Sequence, residues 1–217
     1  LPASTANQYF SADPAQPLAF SSSSLWLSGF PTTGVNGKRY YIGAQLGYTG
    51  PFGNNLPELL AMIDRAVACD GTRPAGTFYY MNNTADPVRN IRACGQFSGC
   101  AGPTPNYDTA VNNLVARGAA AQVMLGVLPT GRNDCLGIMT GAALPAIDTE
   151  TMTLAPGCFA DHLTSWAATF DNGNQVKAAS WIRRGAAGSA GTVEEPCAYP
   201  GKFPHQNFHT IYWQGLS

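Results

Sequence analysis

The sequence predicts an α/β protein with a mostly parallel sheet flanked by helices, long loops and disulfides. Three observations carry this. Short apolar or β-branched runs alternate with amphipathic segments along the chain. The runs are apolar throughout rather than alternating, as strands buried on both faces are. The 217 residues suffice for one such domain without a second core.

Residues 1–24 are rich in Ser, Ala, Pro and Gln and close on Ser21-Ser22-Ser23-Ser24, which predicts an extended arm. Residues 25–217 are expected to form a single α/β domain. Leu25-Trp26-Leu27 suggests a short edge strand, and Arg39 to Leu46 a full one. Asn55 to Asp70 is the clearest helix. Asn55 and Glu58 have capping-box spacing, Pro57 lies in the first turn, and Gly71 stops it. Leu56, Leu59, Leu60, Ile63 and Val67 make one apolar stripe at helical period.

Thr77 to Met81 reads as the next strand, and residues 82–106 as a long loop. A helix is predicted over Tyr107 to Arg117, with Val111, Leu114 and Val115 inward. A buried strand is expected over Gln122 to Leu128 and another over Cys135 to Met139, ending at Thr140-Gly141. A short apolar run, Met152 to Leu154, meets Pro156-Gly157. Phe159 to Phe170 then predicts a helix, with Phe159, Leu163, Trp166 and Phe170 on one face and Cys158, Asp161, His162, Ser165 and Thr169 on the other. Val176 to Arg184 reads as a further helix, Ala186 to Val193 as a glycine-rich strand, and 197–217 as mostly loop.

Composition excludes several functions. Charged residues are 12% and the formal net charge is -1, with no basic run. A nucleic-acid partner, which needs clustered Lys and Arg, is not expected. No apolar run approaches the ~20 residues of a membrane span. The six cysteines, at 69, 94, 100, 135, 158 and 197, form no CxxC. Their even number, with the sparse charge, predicts an exported protein carrying disulfides. Extracellular space, cell surface or periplasm is the expected location. Cys94 and Cys100 flank a loop short enough to close, and the pairing of the other four stays open. Leu1-Pro2-Ala3-Ser4 and Gln214-Gly215-Leu216-Ser217 read as the ends of a fragment of a longer precursor.

NGKRYYIGAQLGYTG, AMIDRAVACDGTRPAGTFYYMN, the run from Cys158 to Cys197 and IYWQGLS together resemble an uncharacterised family of bacterial secreted proteins. Its members resemble the gingipain and caspase-like peptidases in α/β topology. The resemblance covers most of residues 25–217 and implies a caspase-like or flavodoxin-like strand order. It also implies a His-Gly at one strand end and a Cys at the next. The corresponding places here hold Thr140-Gly141 and Cys158, so the thiol is present and the histidine is not. The family extends on both sides of this chain.

The candidate site residues are Cys158, His162, Ser165 and Glu194. A thiol at a helix start has a lowered pKa and suits a nucleophile. His162, one helical turn on, would be its base. Ser165 shares that face, and Glu194 ends the glycine-rich strand. Glu194, His205 and His209 are candidate metal ligands by residue type. Their spacing outside a helix argues against this, so no metal or cofactor is expected. Two functions follow: a degenerate peptidase-like hydrolase, or a non-catalytic component of an extracellular assembly with protein or peptide partners. The absent strand-end histidine favours the second.

Overall fold

The computed structural model describes residues 47–92, 107–169, 173–192 and 206–215. All of them lie in one compact unit. In order they form α1 (Leu56–Cys69), β1 (Thr77–Asn82), a 3-10 turn (Pro87–Asn90), α2 (Tyr107–Val115), β2 (Ala120–Leu125), β3 (Cys135–Gly141), β4 (Leu154–Leu163), α3 (Ala179–Arg183), β5 (Gly188–Gly191) and α4 (Phe208–Gly215). The sheet has five strands in the order β2-β1-β3-β4-β5, all parallel. The expected α/β class is therefore present, and 2-1-3-4-5 is the order of flavodoxin-like sheets.

Both faces are covered, which is why the strands carry no alternating pattern. On one face Tyr79, Met81, Ile138 and Ala160 pack with Met62 of α1, with Trp181 and Ile182 of α3, and with Leu128, Ile147 and Met152 from the connections. On the other, Phe78, Tyr80, Leu136 and Met139 pack against Ala110 and Leu114 of α2 and Trp213 of α4.

Helix α1 starts as its sequence dictates. Asn55 Oδ1 accepts from Glu58 N at 2.9 Å, and Glu58 Oε2 accepts from Asn55 N at 3.0 Å. Its apolar stripe is not its packed face, however. Met62 and Cys69 are buried, while Leu56, Leu60, Ile63 and Val67 are 52–70% exposed. Only Leu59 of the stripe packs against the core, and only partly.

Four further expectations are corrected. Strand β2 is the edge of the sheet and half-exposed, not buried, with Leu125 75% exposed. In α2 the buried residues are Tyr107, Ala110 and Leu114, and Val115 is exposed. Phe159 to Phe170 is not a helix: residues 154–163 form β4, followed by a turn. The tail is not mostly loop where it is described, because Phe208–Gly215 is helical. The readings on residues 1–46, including the arm and both early strands, lie outside the described residues, as does the Cys94–Cys100 loop.

The start of β4 explains the misreading. Cys135 pairs with Leu154 but Gly137 pairs with Phe159, so β4 holds extra residues there as a bulge. Gly157 supplies its turn at φ +78, and Pro156 is tolerated where ladder bonds are already broken. Tyr212 of α4 closes the bulge by donating to Gly157 O at 2.6 Å.

Candidate functional site at the carboxyl end of the sheet

Strand order reverses between β1 and β3, and the carboxyl end of that pair is where open α/β sheets bind ligands. Here the chain's own segment 83–92 occupies this position. Asn83, the first residue beyond β1, donates from Nδ2 to Gly141 O at 2.8 Å, tying the ends of β1 and β3 together. Its Oδ1 accepts from Ala85 N at 3.2 Å and Asp86 N at 3.1 Å, which turns the chain back over the sheet. Asn90 then stitches the 3-10 turn down. It donates to Asn82 Oδ1 at 3.0 Å and Asn83 O at 3.1 Å, and it accepts from Asn83 N at 3.0 Å.

Gly141 lies directly beneath the turn. A Cβ there would meet the backbone carbonyl of Arg89. Gly141→Ala is therefore expected to lift the segment, at a cost of about 1–3 kcal/mol, with new protease cleavage within 83–92 as the readout. Unchanged stability and unchanged cleavage would contradict this packing.

Arg92 follows the turn and enters the sheet end. Its Nε donates to Asp161 Oδ2 at 2.7 Å, and the two side chains are 0% and 2% exposed. Nη2 donates to Thr140 O at 2.7 Å, and Nη1 to Ile91 O at 2.8 Å and Arg89 O at 3.1 Å. Burial pushes the Asp161 carboxyl up and the guanidinium pulls it back. Arginine stays charged in proteins, so the carboxylate balances it at neutral pH. Arg89, one turn earlier, pairs with Asp86 at 2.6 Å and donates to Thr164 Oγ1 at 2.7 Å. Thr164 in turn donates to Gln175 Oε1 at 2.8 Å, which also accepts from Trp166 N at 2.9 Å.

The expected site residues are placed as follows. Cys158 lies in β4, fully buried, and burial raises its thiol pKa well above normal. That is the opposite of activation, because no helix begins there. His162 is four residues further along the same strand, roughly 13 Å at the usual rise per residue. It cannot serve as base for Cys158. His162 is itself fully buried. Its Nε2 donates to Ala142 O at 2.9 Å, and Nδ1 has no partner. Burial, with Arg92, Arg89 and Lys177 nearby, pulls its pKa down to about 4. Asp161 and His162 are neighbours on a strand and point to opposite faces. Asp161 faces Arg92, and His162 lies edge-on to Trp181 at 6.4 Å. Ser165 is half-buried in the turn after β4. Glu194 and His205 lie outside the described residues. His209 is buried on α4, bonded through Nε2 to Phe159 O at 3.1 Å.

The structure thus does not bring Cys158 and His162 together. It assembles Asn83, Asn90, Arg89, Arg92, Asp161 and Thr164 instead. Of these, the sequence marks Asp161 and Thr164, in the polar cluster that follows Pro156-Gly157. The signal for the rest was thin: two arginines three apart in a chain with few charges, directly after an Asn-Asn at a strand end. No described cysteine is disulfide-bonded, and Cys69, Cys135 and Cys158 are buried free thiols. Cys94, Cys100 and Cys197 lie outside the described residues. Among the described residues no group of three or more His, Cys, Asp or Glu could hold a metal ion, and no helix is long and apolar enough to cross a membrane.

Comparison with family models, curated proteins and solved structures returned no match. The family resemblance rests on the quoted segments alone.

Proposed function

We propose that this chain is a non-catalytic interaction domain, working as one component of a larger assembly outside the cytoplasm. The observation that carries the reading is Arg92. Asp161, the buried acid at the sheet end, is bound to a buried guanidinium delivered by the chain's own 83–92 segment. The thiol and imidazole of the hydrolase alternative are both fully buried and far apart on one strand. The location rests on composition: 12% charged residues and a small net charge. The three free thiols lend nothing to the disulfide side of that expectation.

The test is thiol reactivity beside turnover. Cys158 of the native chain is expected to take iodoacetamide at least about 100-fold more slowly than after unfolding, because labelling requires local opening. Peptidase and ester substrates are expected to give no turnover above buffer. Rapid labelling at neutral pH, with hydrolysis that disappears in Cys158→Ala, would sink this reading and restore the hydrolase.

A further inference from the structure

The exposed face of α1 has the geometry of a helix-pairing seam. Leu56, Leu60, Ile63 and Val67 are spaced 4-3-4 and are 60, 52, 52 and 70% exposed. This is the a/d repeat with which helices pack side by side. Apart from Pro57, Glu58, Asp64 and Arg65, every residue of α1 is apolar. Among the described residues the core covers the side holding Met62 and Cys69, with Leu59 partly packed beside them.

The charges at the rim say what kind of occupant fits. Asp64 and Asp70 are exposed on or beside the seam, and neither makes an ion pair among the described residues. The single base of the helix, Arg65, is turned inward. Its Nη2 donates to Ile182 O at 3.1 Å and Ala186 O at 3.0 Å, at the carbonyl end of α3. The seam is therefore apolar with an acidic rim. A second copy would bring the same carboxylates to the contact with no outward-facing base on α1 to answer them, since Arg65 is turned inward.

We propose that α1 docks an amphipathic helix of a partner protein, with apolar residues at a/d spacing and Lys or Arg beside them. This rests on the interaction reading and names the partner's chemistry. The mode is a helix laid against an apolar seam, with the flanking charges choosing the partner.

The probes are two synthetic helical peptides with identical Leu seams, one flanked by Lys and the other by Glu, titrated into the whole chain by fluorescence anisotropy. The Lys-flanked peptide is expected to bind at least about tenfold more tightly, with the margin shrinking as salt rises. Leu60→Glu should abolish binding while circular dichroism stays unchanged, since Leu60 is half in solvent. Asp64→Lys combined with Asp70→Lys should reverse the preference. Hydrogen exchange should slow at Leu60 and Ile63 only when peptide is present. Equal binding of both peptides, or none up to about 1 mM, overturns the proposal. So does slow exchange of this face in the chain alone, or a concentration-dependent mass that Leu60→Glu halves, because the face would then already be covered. These outcomes leave the turnover test untouched, so the seam and the non-catalytic reading fail separately.

Discussion

Replacing Arg92 by leucine is expected to destabilise the fold by about 3–5 kcal/mol, the usual cost of leaving one member of a buried ion pair alone. The loss has two parts. The Asp161 carboxylate is left uncompensated in a site where it is 2% exposed. The carbonyls of Thr140, Ile91 and Arg89 also lose their donor. The double variant Arg92→Leu, Asp161→Leu removes the stranded charge. It should be less destabilised than the sum of the singles by about 2 kcal/mol, since residues sharing a network are not additive. Urea unfolding of the four proteins reads this directly. A single-variant cost below about 1 kcal/mol, or strict additivity, would mean that the pair does not hold segment 83–92 in place.

Mild acid should weaken the protein through two buried histidines. His162 and His209 are both fully buried, and burial lowers each pKa to about 4. In the unfolded chain a histidine titrates near 6.5. Below that pH the unfolded state takes up protons that the folded state refuses, so stability falls as pH drops from about 6.5 to about 4 and levels off beneath. Each histidine contributes a loss of about 3 kcal/mol at 1.36 kcal/mol per unit. Asp161 works the other way, because its raised folded value favours the folded state at low pH. The net slope is therefore smaller than two histidines alone would give. His162→Gln keeps a donor for Ala142 O and should remove about half of the slope. Denaturant midpoints at pH 7, 5.5 and 4.5 suffice, and a profile that His162→Gln leaves unchanged would contradict the buried, neutral state of that ring.

Helix α1 and strand β1 were legible because their signals are local. Asn55, Pro57, Glu58 and Gly71 mark the helix ends without help from the fold, and Thr77 to Met81 is apolar and aromatic throughout. The segment 154–170 was illegible for the opposite reason. Phe159, Leu163, Trp166 and Phe170 recur at helical spacing, while a central strand covered on both faces has no period of two to set against it. Asp161 and His162 read as a polar helix face. Only Arg92, 69 residues away in sequence, makes an acid tolerable there. The tail helix hid behind Pro204, although Phe208 and Tyr212, and His209 and Trp213, are each four apart. The site went the same way. The residues that meet at the sheet end are mostly asparagines and arginines in what read as a loop, and nothing local says that the loop folds back.

The edge strand β2 has a bearing on how the protein behaves in bulk. From Ala119 to Leu128 the chain carries no charge and no proline. Among the described residues strand β2 pairs with β1 alone, and Leu125 projects into solvent. Proteins ordinarily guard such an edge with a lysine, a proline or a twist. An unguarded six-residue strand of this composition is a template for stacking one chain on another as cross-β. Concentrated stocks are where that liability would surface.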